Sequence, residues 1–132
     1  MKPVTIEFPS IVDNLHIVES FIDNSREEFQ ISDDLYGNIL IALTEAVNNA
    51  IQHGNQNDRN KMVRLTCASN PGELSFVVED QGTGFDYNDL PDPTSGDNLL
   101  KPDGRGVFLM KELSDVLRFE DNGKKVEMVF YL

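Results

Sequence analysis

Two short turn signatures, Asn70-Pro71-Gly72 and Asn122-Gly123, each sit between two runs in which apolar and polar residues alternate. Alternation of period two is the pattern of a half-buried strand, and a tight turn between two such runs joins them antiparallel. Strands are therefore predicted over 61–69 and 73–80, and again over 116–121 and 124–131. A shorter alternating run predicts a strand over 3–8, stopped by Pro9. Between these lie helical patterns. Ile11, Leu15, Val18, Ile22 and Phe29 recur at helical spacing and predict a helix over 10–29, with Ser10 and Asp13 read as its N-cap and N3 pair. A second helix is predicted from an N-cap at Ser32, with Asp33 and Asp34 in the first turn where the helix dipole favours acids. It runs to about His53, with Gly54 in the C′ position. A third helix spans about 104–114. The order is β-α-α-β-β-loop-α-β-β, with two hairpins and few connections long enough for parallel crossovers. That predicts an α+β, two-layer sandwich: a mixed, mostly antiparallel sheet with helices on one face. At 132 residues the chain is expected to be one domain, 1–132.

Residues 55–60 read as a polar loop. The segment 81–103 is more telling, because it holds Gly82, Gly84, Gly96 and three of the six prolines. Connections of about twenty residues are uncommon in small domains and tend to be functional. Composition limits what that function can be. With 11 Lys+Arg against 23 Asp+Glu the net charge is -12, which disfavours nonspecific binding to nucleic acid and to anionic membranes. No apolar run approaches the roughly 20 residues of a membrane span, and the start of the chain alternates instead of forming a signal-peptide block. Cys67 is the single cysteine, so no internal disulfide or multi-cysteine zinc site is available. A soluble, cytoplasmic protein is expected. The acidity also stands as an objection to any anionic ligand.

On the second helix, at about 100° per residue, Tyr36, Ile39, Leu40, Val47 and Ala50 fall within about 60° of Leu43 and form a core stripe. Glu45, Asn49 and Gln52 lie on the opposite side, with His53 at the margin. Such a polar face is ordinarily a solvated surface. Its neighbours Ile41, Ala42 and Ala46 are, however, small or apolar rather than charged. A carboxylate and a carboxamide one turn apart also form a base beside an oxygen ligand for Mg²⁺. Farther on, Asp80-Gln81-Gly82-Thr83-Gly84-Phe85-Asp86 leaves a strand; its glycines permit close approach, and an ionised Asp80 suits an amine such as adenine's. Gly104-Arg105-Gly106 opens the last helix, where free N–H groups form an anion site, with Lys101 and Arg105 as cationic donors. There is no Walker A loop, and no Rossmann-type βαβ unit surrounds these glycines.

Taken in order, T-E-A-V-N-N-A-I-Q-H-G-N (44–55), D-Q-G-T-G-F-D (80–86) and G-R-G-V-F-L-M-K-E-L-S-D (104–115) resemble the N, G1 and G2 boxes of the Bergerat ATP-binding fold. That fold is shared by gyrase, heat-shock chaperone, histidine kinase and mismatch-repair ATPases, the GHKL superfamily. The chain is most similar to its short branch, the anti-sigma-factor serine/threonine kinases, over residues 3 to 131. The resemblance implies ATP and Mg²⁺ as cofactors. It implies that Glu45 activates the attacking hydroxyl, that Asn49 coordinates Mg²⁺, and that Asp80 reads the adenine amino group in a pocket shaped by Gly82 and Gly84. It further implies an ATP lid over about 86–103 and a phosphate cradle at Gly104, Arg105 and Gly106. His53 matches the histidine of the family's H-G pair. Charge and placement make Lys101 and Arg105 candidate triphosphate contacts. The implied partners are a STAS-type anti-anti-sigma protein carrying the acceptor Ser or Thr, a sigma factor, and a second copy of the chain as a homodimer. The same residues would also serve a nucleotide-dependent switch without catalysis. Gyrase-type and chaperone-type ATPases add a transducer domain, and histidine kinases a phospho-accepting hairpin; this length and order of elements are expected to hold neither.

The charge is unevenly placed. Residues 101–132 hold equal numbers of bases and acids, so the whole acidic excess lies before Lys101. The segment expected to meet a triphosphate is neutral, and ATP arriving with its metal is expected to be accepted where bare ATP is not.

Overall fold

The computed structural model describes residues 3–82 and 102–132. Within them the elements follow the predicted order: β1 (Val4–Pro9), α1 (Leu15–Glu28), α2 (Asp33–Asn49), β2 (Met62–Asn70), β3 (Glu73–Glu79), α3 (Pro102–Leu113), β4 (Val116–Glu120) and β5 (Lys125–Tyr131). The strands form one sheet in the order β1-β2-β3-β5-β4. All four pairings are antiparallel, so the expected sandwich is present with no parallel pair among the described strands.

Register follows from which residues must be buried. One row across the sheet is Ile6, Leu65, Val78, Val126 and Phe119, on the face that the helices cover. Ile39, Leu43 and Val47 of α2 are fully buried in the same cluster as Leu65, Phe76 and Met128. Phe76 and Phe130 meet edge to face, with ring centroids 6.0 Å apart. Cys67 also lies in this core, where burial pushes its thiol up to about 11 and leaves it an unreactive packing residue. The next row, on the opposite face, is Glu7, Arg64, Glu79, Lys125 and Glu120. Its charges alternate across all five strands, with Arg64 to Glu7 at 3.0 Å and Lys125 to Glu120 at 3.7 Å. A one-residue slip of any strand would put apolar side chains on the charged face and break this row.

Both turn signatures act as predicted. Asn70 pairs with Glu73, and Gly72 takes φ +76°, as position three of a Pro-Gly type II turn requires. Between β4 and β5, Asp121, Asn122 and Gly123 are all left-handed, with φ of 53°, 56° and 87°. The Ser32 hydroxyl accepts from the Leu35 N–H at 3.2 Å and caps α2. Arg26 ties α1 to α2 by pairing with Asp33 and lying 4.5 Å over the Tyr36 ring, while Tyr36 donates to Asp23.

The Ser10 expectation fails. A 3₁₀ turn, Val12–Asn14, precedes α1, and Ser10 caps nothing. Its hydroxyl donates instead to the Lys61 carbonyl at 2.7 Å and accepts from Asn55 at 2.8 Å. A buried hydroxyl takes the partners its surroundings offer, and here those come from the far side of the chain.

Candidate functional site

The polar face of α2 is not a solvated surface. Ala42 and Ala46 are buried, and α3 packs on this side. A Cβ on Gly106 would lie 2.9 Å from Asn49 Nδ2 and 3.1 Å from Glu45 Oε2. Without a Cβ at Gly106, α3 comes this close while the two side-chain ends keep their places. Asn49 Oδ1 is buried and has no hydrogen-bond partner among the described residues. Leaving such an oxygen unsatisfied costs about 1–3 kcal/mol, so it is set to receive a donor or a hard cation. Among the described residues no group of three or more His, Cys, Asp or Glu side chains forms a metal cluster. An ion at Asn49 would therefore complete its shell with water and ligand oxygens.

Asn49 lines a cleft between α2, α3 and the sheet. Its walls are apolar, from Ala46, Ala50, Val78, Val107, Met110, Phe119 and Val126, and its polar groups are Asn49, His53, Asp80 and Lys124. Asp80 follows the end of β3. Its N–H donates to the Lys124 carbonyl at 2.9 Å, and Oδ1 accepts from the Gly82 N–H at 2.9 Å. Burial raises the carboxyl's pKa above the ordinary value, against the opposing pull of that N–H and of Lys124 and Lys61. An acidic acceptor in an apolar slot fits a flat, largely apolar ligand that offers an N–H donor.

Gly54 does not act as the left-handed end of α2. The helix widens into a π turn over Ala50–Gly54, closed by the Asn55 N–H on the Ala50 carbonyl at 2.8 Å. Gly54 is required for another reason: a Cβ there would fall inside the Asp80 carboxylate. A Cβ on Gly82 would in turn collide with the Gly54 carbonyl. The first two sequence boxes thus meet backbone to backbone, at a π turn of the kind often found at functional sites.

His53 is exposed at the rim of the cleft. The third helix begins two residues earlier than predicted, at Pro102, a residue favoured in the first helical position. Gly104 and Arg105 therefore fall in its first turn, and Arg105 is exposed. Gly106, at the fifth position, lies beyond the orphan N–H groups and contributes closeness to Glu45 and Asn49 instead. Gly84, Lys101 and nearly all of the expected lid, 86–103, lie outside the described residues.

Two contributions escaped the sequence reading. The β4–β5 turn brings Gly123 and Lys124 to the cleft, whereas the Asn-Gly signal reveals only that a turn exists. Asn55, read as part of a polar loop, is fully buried. Its only sequence signal is that it closes the stretch 44–55.

A five-stranded antiparallel sheet backed by helices, with a carboxylate–carboxamide pair beside an acidic slot, defines a class that comparison with known proteins identifies. The model of the histidine kinase-like ATPase domain matches residues 8–130. The chain belongs to that family. Among its relatives, the serine-protein kinase RsbW of Bacillus subtilis is 25% identical, over 98% of this chain and 85% of the relative. RsbW of Staphylococcus epidermidis is 31% identical, over 70% of this chain and 63% of the relative. An anti-sigma F factor of Clostridium beijerinckii is 26% identical, over 93% and 90%. A solved chain carrying the RsbU and RsbW domains of a Mycobacterium tuberculosis protein superposes with a TM-score of 0.72 at 16% identity. It covers all of this chain, which spans 32% of that one, and the likeness establishes the fold. No helix among the described residues is long and apolar enough to cross a membrane.

Proposed function

We propose that this chain is an ATP-dependent serine/threonine protein kinase of the anti-sigma-factor type. Its substrate is a small STAS-type anti-anti-sigma protein, and it sequesters a regulator such as a sigma factor, acting in the cytoplasm as a homodimer. The observation that carries this reading is the junction of Glu45 Oε2, the orphaned Asn49 Oδ1 and Gly106 at a cleft that also holds Asp80.

In this reading Asp80 accepts a hydrogen bond from the exocyclic amine of adenine, and Gly82 and Gly84 let the base approach the backbone. Asn49 Oδ1 would hold Mg²⁺, which when bound would supply positive charge against that developing on the transferring phosphoryl group. Glu45 orients the partner's hydroxyl and takes its proton as the oxygen attacks the γ-phosphorus in line, while the bond to the ADP oxygen breaks. Gly104 and Arg105, with Lys101, would meet the phosphates, Gly106 lets α3 close on Glu45 and Asn49, His53 stands at the rim, and 86–103 would serve as the lid.

The test is γ-labelled ATP with a STAS-domain partner. Label is expected on a Ser or Thr of the partner with the wild type. Glu45→Ala should bind ATP within about twofold of wild type and slow transfer by about 10²- to 10⁴-fold. Binding by calorimetry without any transfer from the wild type would replace the kinase by a nucleotide-dependent switch.

A further inference from the structure

Asn55 is the most deeply buried of the polar residues among the described ones, and the proposed chemistry leaves it unused. Its side chain is 0% exposed and makes contacts in three directions. Nδ2 donates to the Ser10 hydroxyl at 2.8 Å and to the Met62 carbonyl at 3.0 Å. Oδ1 accepts from the Gln81 backbone N–H at 2.7 Å. Gln81 returns the link: its side-chain Oε1 accepts from the Met62 N–H at 2.7 Å. The entrance to β1's following turn, the start of β2 and the exit of β3 are thereby joined through one carboxamide.

Gln81 stands between Asp80 and Gly82. The turn is fixed at its start by the Asp80 N–H on the Lys124 carbonyl and at its end by the Gly82 N–H on the Asp80 carboxylate. The Asn55 bond holds the middle of this turn, and neither Asn55 nor Gln81 is among the residues lining the cleft. A carboxylate that must meet one amine edge gains from being held before the ligand arrives, because its ordering is then not charged against binding. Both Asn55 N–H donors are used, and its oxygen is used on Gln81, so the residue is held in one orientation.

We infer that Asn55 is a positioning residue for the base-reading step: through the Gln81 N–H it presets the Asp80-Gln81-Gly82 turn, and so sets discrimination for a purine carrying an exocyclic amine. This rests on the proposed adenine role of Asp80, and the experiment separates the two. Affinities of ATP and of inosine triphosphate, which has a carbonyl in place of the amine, are measured for the wild type, Asp80→Asn, Asn55→Ala and Ser10→Ala. The wild type should prefer ATP by roughly ten- to hundredfold. Asp80→Asn and Asn55→Ala should both lose most of that preference while keeping their affinity for inosine triphosphate. Ser10→Ala removes a neighbouring buried hydrogen bond without touching Gln81; it should lower the melting temperature and keep the preference. If Asp80→Asn loses the preference and Asn55→Ala keeps it, Asn55 is a structural residue and the inference is wrong. If the wild type shows no preference, or Asp80→Asn retains it, the adenine role of Asp80 fails and the inference falls with it. Should Asn55→Ala not fold, amide exchange at Gln81 in the wild type decides. Slow exchange without nucleotide, unchanged by ATP, supports the preset turn; protection that appears only with ATP overturns it.

Discussion

Asp80 shows how a single residue is held against its own stability. Burial raises its pKa in the folded protein above the unfolded value. Between those two values the folded state binds more protons than the unfolded, so stability falls as pH rises through that window. The ionised carboxylate needed to accept from an amine is thus the form the empty fold tolerates least. Asp80→Asn keeps an acceptor for the Gly82 N–H and removes the charge. Its nucleotide-free form should be more stable than wild type, by a margin that widens as pH rises from the acid range to neutrality, and its ATP affinity should drop by about tenfold or more. Thermal melts across pH, paired with calorimetry, check both halves; a variant less stable than wild type at neutral pH would contradict the desolvation account. Glu45→Ala, by contrast, should alter the transfer rate alone.

Among the elements, the glycines at their contacts make distinct predictions. Gly82→Ala would drive a Cβ into the Gly54 carbonyl, which is backbone and cannot swing aside, so a loss of about 1–3 kcal/mol in stability is expected from chemical denaturation. Gly106→Ala meets only the ends of the Asn49 and Glu45 side chains. It should leave stability near wild type, since alanine also favours the helix, yet slow phosphoryl transfer by about tenfold, because the Asn49 and Glu45 ends must move by a few tenths of an ångström. On the open face, Arg64→Glu would place three acids side by side with Glu7 and Glu79; a loss of about 1 kcal/mol, shrinking in high salt, is expected. Much of this framework was legible in the sequence, because alternation and turn residues act over a few positions. The Glu45–Asn49 pair was legible as a face of a helix but not as a half-buried one, since periodicity says nothing of what packs on it. Ser10 was misread, and the burial of Asn55 within its loop missed, for the same reason: a polar residue's partner can lie tens of residues away, as Gln81 does from Asn55.

For the molecule as a whole, the acidic excess is a selection on how a nucleotide can enter. The net charge of -12 repels a bare tetra-anion, while the cleft offers an orphaned carboxamide oxygen and the final segment is neutral. The proposed site is therefore complete only with a divalent ion, and Asn49→Ala should remove most of the metal dependence of binding. The most direct measurement is calorimetric titration of the wild-type protein with ATP, once with Mg²⁺ and once with the metal chelated. The account predicts one site per chain with Mg²⁺ and an affinity weakened by about tenfold or more without it. Equal affinity in the two titrations, or no binding in either, would contradict it.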